Sequence, residues 1–304
     1  MENNEPAYLK LLQAGLLAER VSLAYAHLSR CDLCGWDCRK DRLAGKVGVC
    51  LTGELARVAS HGPNHTEERM ISGWNGAGTI FFARCNLRCQ YCQNYEFSQS
   101  DAGHLVNSEE LSAIMLNLQD QGCHNIDLVS PTHVIPQILE AVLLAAQNGL
   151  RLPLVYNTGG YDSLAGLSLL KDVVDIYLPD MKYANPQTGL HYSKVRNYPQ
   201  INRAAVQEMH RQVGELQLDE QGIARRGLLV QHLVLPYGLA GTEETARFLT
   251  GQISPNTYVN VMGQYRPAHL AAQFPKLKRS VTQTEFLAAV EAAQRAGIKQ
   301  VIDS

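Results

Sequence analysis

The sequence predicts an α/β fold in which parallel strands alternate with helices. Two observations lead to this prediction. Six short apolar runs, several of them rich in β-branched residues, lie between residues 79 and 262, and stretches with apolar residues at helical spacing alternate with them. Helices of this length serve as right-handed crossovers between parallel strands, so the predicted architecture is an open or closed α/β barrel.

The individual elements follow from apolar periodicity and from helix-capping residues. Asn107 with Glu110, and Thr282 with Glu285, form capping boxes that predict the starts of two helices. Apolar residues at helical spacing over 135–146 predict another helix between the second and third strands. The strands are predicted at 79–82, 126–129, 152–156, 174–178, 228–230 and 258–262, with a further short apolar run at 298–302.

Residues 1–72 are predicted to form an extension beside a barrel of residues 73–304. Leucines at positions 9, 12, 16 and 17 have helical spacing and predict an amphipathic leader helix that packs on something larger. Residues 31–72 have weak periodicity, four clustered cysteines and Gly-Pro-Asn at positions 62–64. This pattern is typical of a small loop-rich module that a metal holds together.

Composition excludes several classes of protein. The 304 residues are 45% apolar and 18% charged, which is the balance of a globular protein with a sizeable core and not of a disordered chain. Lys and Arg number 27 against 29 Asp and Glu, so no charge excess favours binding to nucleic acid or to a membrane surface. No apolar run is long enough to span a membrane, and the start lacks the basic region of a signal peptide, so a cytoplasmic location is expected.

Three cysteines, Cys85, Cys89 and Cys92, form the motif C-x3-C-x2-C directly after the first predicted strand. Three thiolates folded back in this way can each hold one iron of a cubane and leave the fourth iron open, which makes a reactive site. A structural zinc is the alternative, but zinc favours a closed tetrahedron, and no fourth ligand lies beside this motif in the sequence. The spacing therefore favours an iron-sulfur cluster over zinc.

A second group of cysteines lies in the extension. Cys31, Cys34, Cys38 and Cys50 follow the pattern C-x2-C-x3-C-x11-C, which supplies four ligands and can close the coordination of a metal completely. Structural zinc satisfies this pattern, and so does a second iron-sulfur cluster used for electron transfer. The small amount of apolar material in residues 31–50 slightly favours a structural metal.

Polar residues follow each of the six predicted strands, at the end of a barrel where function collects. His133 and His232 are candidates for this site, although a lone His on an apolar strand is more often a buried core residue. Asp162 and Glu140 have no distinguishing context and are expected to be solvated. The polar segments after the strands are residues 85–94, 130–133, 157–161, 180–183, 232–238 and 263–265.

The three-cysteine loop, with aromatic Tyr91 before its third cysteine, resembles the cluster loop of the radical S-adenosylmethionine (radical SAM) superfamily. The surrounding segments resemble the branch of pyruvate formate-lyase activating enzyme homologues. The N-terminal cysteine pattern resembles that branch too, so the likeness covers nearly the whole chain from about residue 31 to 300. The segments that carry it are GTIFFARCNLRC at 78–89, CQNYE at 92–96, NTGGY at 157–161, HLVLP at 232–236 and QY at 264–265.

This resemblance implies a partial (βα)6 radical SAM barrel with a small N-terminal helical and Cys-rich metal-binding extension. It also implies a 4Fe-4S cluster whose open iron is chelated by the amino and carboxylate groups of S-adenosylmethionine. The reduced cluster gives one electron to the sulfonium, and the resulting 5′-deoxyadenosyl radical abstracts hydrogen from a substrate. A barrel lumen keeps such a radical dry and close to its target.

The partners that the resemblance implies are S-adenosylmethionine, an electron donor such as flavodoxin or ferredoxin, and a protein, peptide or small-molecule substrate. Some activating enzymes that install a glycyl radical carry a ferredoxin-like insert after the cluster loop. This chain lacks such an insert, so glycyl-radical activation is one option among several.

The resemblance also assigns residues to the cofactor. Tyr91 is expected beside the adenine, and Lys182, two residues after Asp180, is expected to reach the carboxylate of S-adenosylmethionine. Ser130 and Thr132 stand where many radical SAM proteins carry a Gly-Gly-Glu segment that contacts the methionine amino group. The remaining polar candidates near the cofactor are Asn157, Thr158, His232 and Gln264.

Two classes of function stay open on the sequence. The first is a radical SAM enzyme. Polar residues after the predicted strands and the open three-cysteine loop favour this class. The second is a non-catalytic iron-sulfur or zinc binding module that uses its cysteines for folding or for electron transfer.

Overall fold

The computed structural model describes residues 5–303, and its strands form one open sheet. All six strands predicted from apolar runs are present, as β2, β4, β5, β6, β8 and β9. The strands are β1 (Ala56–Asn64), β2 (Ala77–Phe82), β3 (His104–Val106), β4 (Ile126–Val129), β5 (Leu154–Thr158), β6 (Ile176–Pro179), β7 (Gln217–Leu218), β8 (Ala224–Leu233), β9 (Tyr258–Met262) and β10 (Gln300–Asp303).

The strand order is β10-β9-β8-β6-β5-β4-β2-β1-β3, with the short β7 paired to β8. Neighbours from β2 to β10 along this path are parallel, whereas β1 is antiparallel to both β2 and β3. The parallel strands therefore end on the same edge, as the prediction of a partial barrel requires. A mixed α/β fold with an open, mainly parallel sheet is confirmed.

Helices connect the strands. Both predicted capping boxes are present: the side chain of Asn107 accepts from the Glu110 amide at 2.8 Å, and Thr282 accepts from the Glu285 amide at 3.2 Å. The helices are α1 (Tyr8–Gln13), α2 (Leu16–Ala26), α3 (Arg69–Ser72), α4 (Tyr95–Ser98), α5 (Ser108–Asp120), α6 (Ile135–Gln147), α7 (Leu164–Leu170), α8 (Pro186–Ser193), α9 (Tyr198–Val213), α10 (Thr242–Gln252) and α11 (Gln283–Arg295).

The predicted leader helix is two helices. Gly15 has a φ of 73°, a left-handed conformation that ends α1 and begins α2 on a new axis. Leu9 and Leu17 are buried as expected, but Leu16 is 45% exposed because the break rotates it away from the core. The leucine spacing alone did not take account of this glycine.

Strand β1 lies within the segment that the sequence suggested to be loop-rich. It pairs with β2 over Asn64 to Val58, so the sheet begins before residue 73. The division into residues 1–72 and 73–304 stays a prediction, and β1 is the structural link between its two parts. Within residues 5–303, no helix is long and apolar enough to cross a membrane.

The apolar core has three clusters that together position the edge where the parallel strands end. The largest lies between the sheet and the helices that cover it. A second, rich in tyrosine, lies beside the three-cysteine loop. The third fills the interior of the sheet below its carboxyl edge and includes Ile71, Val155, Leu178 and Leu229.

Candidate functional site

A cavity of about 230 Å³ opens where the parallel strands end, and all three cysteines of the C-x3-C-x2-C motif line it. Loops after β2, β4, β5 and β6 meet there, as expected for a barrel. The predicted residues at this cavity are Cys85, Cys89, Cys92, Ser130, Asn157, Thr158, Asp180 and Lys182. The others that line it are Glu67, Phe81, Leu87, Asn94, Ser98, Val129, Gly159 and Gln231.

Each thiol of the loop has a hydrogen-bonding neighbour. Ser193 donates from Oγ to Sγ of Cys89 at 2.9 Å, and the amide of Leu87 donates to Sγ of Cys85 at 3.4 Å. Sγ of Cys92 shares a hydrogen bond of 3.1 Å with Ser98. Hydrogen bonds to sulfur tune the potential of iron-sulfur clusters, so these donors fit that chemistry.

Burial keeps the thiols of Cys85 and Cys89 protonated when no metal is bound. It raises the pKa of Cys85 to about 11 and that of Cys89 to about 12, while Lys182 nearby lowers both. Among residues 5–303, no three Cys, His, Asp or Glu side chains are grouped so that they could hold one metal ion. A cubane takes one thiolate per iron, so a cluster needs more widely spaced thiols than one ion does. The three-cysteine loop fits a cluster by donor type and by number.

Lys182 and Asp180 form an ion pair in the wall of the same cavity. Nζ of Lys182 lies 2.5 Å from Oδ2 of Asp180, and both side chains are 17% exposed. Burial by itself lowers the pKa of Lys182, but Asp180 and the neighbouring Cys89 raise it above its usual value. This ammonium stays charged and faces the cavity, which suits recognition of a carboxylate.

Ser130 and Asn157 lie at the ends of adjacent strands. The amide of Ser130 donates to the backbone oxygen of Asn157 at 2.9 Å. Ser130 has a φ of 58°, a left-handed conformation that is uncommon for a serine and often marks functional turns. Its hydroxyl lowers the pKa of Cys85, so it lies against the cysteine loop.

Thr158 and Thr132 bind a buried carboxylate, Asp162. Thr132 donates to Oδ1 at 2.7 Å, Thr158 donates to Oδ2 at 2.8 Å, and the hydroxyl of Tyr156 donates to Oδ1 at 2.9 Å. Burial raises the pKa of Asp162, and the three hydroxyls oppose that rise. The expectation of a solvated Asp162 is wrong: its side chain is buried, and the hydroxyls of Thr132, Tyr156 and Thr158 surround it.

Thr132 therefore lies beneath the site and does not line it. Only Thr158 of this network reaches the cavity.

Tyr91 is buried beside the cavity without lining it. Its hydroxyl accepts from Tyr183 at 2.7 Å, and Tyr183 shares a 2.6 Å hydrogen bond with Ser193, the donor to Cys89. The ring of Tyr91 also packs edge-on against Tyr265 at 5.8 Å. Tyr91 thus belongs to a chain of hydroxyl groups that ends at a cysteine sulfur.

Two other predicted residues lie away from the cavity. His232 is buried, with Nδ1 at 2.7 Å from the Met181 oxygen and Nε2 at 2.9 Å from the Thr242 hydroxyl. Both ring nitrogens are satisfied by the protein. Gln264 has an exposed side chain, and its backbone oxygen accepts from Gln93 at 3.1 Å.

Comparison with protein-family models decides the family. The model described as Radical SAM superfamily matches residues 79–249, which include the cysteine loop and four of the strand ends that form the cavity. The chain belongs to the radical SAM superfamily. Membership supports radical SAM chemistry and implies a 4Fe-4S cluster, S-adenosylmethionine and an electron donor.

Similar proteins agree with this fold. The chain is 30% identical to Uncharacterized protein MJ0674 of Methanocaldococcus jannaschii, over 97% of this chain and 83% of that protein. A radical SAM methyltransferase from Sphaerobacter thermophilus superposes with a TM-score of 0.51 at 15% identity, over 75% of this chain and 66% of that one. HydG, a maturase of the FeFe-hydrogenase, gives 0.50 at 16% identity, over 72% of this chain and 48% of that one. The two solved structures share the fold, and the chain spans less than two thirds of their length.

Sequence reasoning missed three residues that this radical SAM chain brings to the cavity. Ser98, at the end of α4, lies six residues after Cys92 and shares a hydrogen bond with it. Glu67 lies between β1 and α3, in a segment with no recognisable motif. Gln231 lies on β8 directly before His232, which was a predicted site residue, and its side chain is on the opposite face of the strand. Side chains alternate between the two faces along β8, so this alternation could have predicted the position of Gln231. Glu67 reaches the cavity through tertiary contacts alone.

The N-terminal cysteines of this radical SAM protein lie close to one another. Cys31, Cys34 and Cys50 are buried, and Cys38 is half-buried. Burial raises the pKa of Cys34 well above its usual value, and the other three thiols raise it further. Since repulsion between like charges grows as their separation falls, this mutual effect indicates that the four thiols lie in one region.

Backbone geometry in the extension is adapted to this group. Asp37, Arg39 and Leu51 have positive φ angles of 43°, 52° and 55°, and the amide of Arg39 donates to the Cys31 oxygen at 2.9 Å. A Cβ on Gly48 would lie 2.8 Å from Sγ of Cys38. Such tight turns around thiols fit a metal-binding loop.

Proposed function

We propose that the protein is a radical SAM enzyme similar to pyruvate formate-lyase activating enzyme. In this proposal it cleaves S-adenosylmethionine reductively, and the 5′-deoxyadenosyl radical abstracts hydrogen from a protein, peptide or small-molecule substrate, with activation of a glycyl-radical enzyme as one such reaction. The supporting observation is the convergence of three thiols and one ion pair on a single cavity. Within the described residues that line it, no fourth cysteine or histidine closes the set.

Cys85, Cys89 and Cys92 would hold the cluster. At such a site a bound 4Fe-4S cluster supplies the single electron that S-adenosylmethionine needs for cleavage of its sulfonium. The hydroxyl of Ser193 and the amide of Leu87 hold the thiols in place through their hydrogen bonds to sulfur. These donors also stabilise the thiolate forms that metal binding requires.

Lys182 would bind the carboxylate of S-adenosylmethionine. Its partner Asp180 keeps the ammonium charged and fixes its position. Ser130, with its left-handed backbone, and Asn157 present the oxygens available for the amino group at the ends of β4 and β5. Positive and polar groups are thereby arranged for a zwitterionic amino acid.

The predicted cofactor residues outside the cavity would act through their neighbours. Thr132 holds Asp162, which in turn orients Thr158 at the cavity wall. His232 holds the Met181 oxygen between Asp180 and Lys182, so it positions the ion pair. Tyr91 and Gln264 lie on the side of the second core cluster, where we expect the adenine.

Cys31, Cys34, Cys38 and Cys50 would bind a second metal, either zinc or another iron-sulfur cluster. The electron would come from a flavodoxin or a ferredoxin. We expect the enzyme to act in the cytoplasm and to bind neither nucleic acid nor membranes.

The test is cleavage of S-adenosylmethionine by the full chain after anaerobic reconstitution and reduction with dithionite. We expect an electron paramagnetic resonance signal of the reduced cluster that changes when S-adenosylmethionine is added, and formation of 5′-deoxyadenosine. Cys89→Ala should abolish both. The matched control is Cys123→Ala, because Cys123 is a buried thiol outside both motifs.

Zinc without iron, and no 5′-deoxyadenosine from the wild type, would contradict the proposal. That outcome would favour a non-catalytic metal-binding module. An effect of Cys123→Ala equal to that of Cys89→Ala would also contradict it, since the loss would then come from general instability.

A further inference from the structure

Three carboxylates lie in the barrel interior, at the cysteine cavity and below it. Asp127 on β4 is two residues before Val129, which lines the cavity, so both side chains face the interior. The same alternation places Thr79 below Phe81 on β2, and Thr79 pairs in register with Asp127. Two residues of strand correspond to about 7 Å, which is the depth of this layer below the cavity wall.

Asp127 is incompletely paired. It is 0% exposed, and Oδ2 accepts from the Thr79 hydroxyl at 3.2 Å. Oδ1 has no donor at hydrogen-bond geometry in the part of the chain that the structure describes, although the side chain of Asn157 is near enough to lower the pKa of Asp127. A buried carboxylate oxygen without a donor is costly, which is why such atoms are rare unless a ligand satisfies them.

Glu68 brings a second unpaired oxygen to the interior. Its Oε1 accepts from Asn260 at 2.6 Å and from Gln231 at 3.0 Å, and these two residues lie in register on β9 and β8. Its Oε2 is buried and has no donor among residues 5–303. The neighbouring Glu67 lines the cavity itself.

The carboxylates of this group lack a cation that would favour their ionised forms. Burial raises the pKa of Glu67 to about 9 and that of Asp127 to about 7, and in each case Glu68 raises it further. Lys182 is the one Lys or Arg among the described residues that line the cavity, and it is already paired with Asp180. A cationic ligand would supply both the missing charge and the missing donors.

We infer that Glu67, Glu68 and Asp127 bind a primary ammonium group of the substrate. An ammonium has three donors, which match the open carboxylate oxygens of Asp127 and Glu68 and the carboxylate of Glu67 at the cavity. The identification of the bound amine as the molecule that loses hydrogen rests on the proposed function. The binding of an amine at this site does not depend on the proposed function.

The test uses n-butylammonium as the probe and 1-butanol as its uncharged counterpart. Binding of each to the reconstituted full chain, with S-adenosylmethionine present, is measured by ligand-observed nuclear magnetic resonance. We expect n-butylammonium to bind at least about ten-fold more tightly than 1-butanol. Asp127→Asn and Glu67→Gln should each remove this preference, whereas Glu208→Gln, which neutralises a carboxylate on α9 paired with Arg211, should keep it.

Several outcomes would overturn the inference. Equal binding of the two probes would do so, and so would a preference that survives both Asp127→Asn and Glu67→Gln in variants that still unfold cooperatively on heating. Binding of n-butylammonium only without S-adenosylmethionine would assign the carboxylates to the cofactor. A rise in Tm with potassium but not with n-butylammonium would assign them to an inorganic cation.

The inference and the proposed function fail separately. Formation of 5′-deoxyadenosine without ammonium binding would leave the radical SAM proposal standing and remove the amine site. Ammonium binding that depends on Asp127, without cleavage of S-adenosylmethionine, would leave the amine site standing and remove the proposed chemistry.

Discussion

The indole Nε1 of Trp36 donates to the backbone oxygen of Asn86 at 2.6 Å, and this bond joins the two cysteine motifs. Trp36 lies between Cys34 and Cys38, and Asn86 directly follows Cys85. The backbone oxygen of Tyr161 strengthens the junction, because it accepts from the side chain of Asn86 and from the amide of Gly35, both at 3.0 Å. The N-terminal extension therefore supports the loop that carries the three cysteines.

Trp36→Phe should weaken this junction. The Asn86 oxygen is buried and would lose its donor, so we expect a loss of about 1 kcal/mol in the free energy of unfolding. We also expect less iron bound after reconstitution, because the three-cysteine loop would be less well held. Denaturant unfolding and iron analysis measure the two effects. Trp74→Phe is the control, since Trp74 is 57% exposed; an equal loss there would refute the assignment.

Lys182→Met should remove the cation of the cavity while keeping the length of the side chain. Asp180 would be left unpaired at 17% exposure, and we expect a loss of about 2 kcal/mol in stability together with loss of S-adenosylmethionine binding. Adding Asp180→Asn should restore most of the stability but not the binding. Isothermal titration with S-adenosylmethionine and denaturant unfolding separate the two. Recovery of binding in the double variant would show that Lys182 serves only to neutralise Asp180.

Asp127 should make stability fall as pH rises. Burial raises its pKa from the ordinary value of an aspartate, about 3.9, to about 7 in the folded protein. Between these pH values the folded state therefore binds more protons than the unfolded chain, and the free energy of unfolding decreases with pH. Asp127→Asn should remove this slope and be more stable than the wild type at neutral pH by on the order of 1 kcal/mol. Thermal unfolding from pH 5 to 8 measures the difference, and parallel curves for the two proteins would exclude this role.

Gly48→Ala should disturb the N-terminal metal site alone. The added Cβ would lie 2.8 Å from Sγ of Cys38, so the thiol would have to move. If the second metal is zinc, we expect about four irons to remain and the zinc to be lost; if it is a cluster, about eight irons should fall to about four. Gly53→Ala is the control, because nothing lies within 4 Å of its added Cβ. Loss of all iron in Gly48→Ala would show that the two sites do not form independently.

Much of the fold was predictable because it depends on local pattern. The strands, the capping boxes of Asn107 and Thr282, and the C-x3-C-x2-C motif are properties of short segments, and each is present as expected. The leader helix was predicted only in part, because the leucine spacing did not reveal that Gly15 adopts a positive φ.

By itself the sequence determined the α/β class and the residues of the cysteine loop, since periodicity and ligand spacing act over a few residues. Tertiary structure alone decided which polar groups face the interior. Glu67 and Glu68 enter it only because their segment crosses toward β8 and β9, and Asp162 is buried only because hydroxyls from three separate positions reach it. Contacts between distant segments depend on how the strands assemble, and no local pattern carries that information.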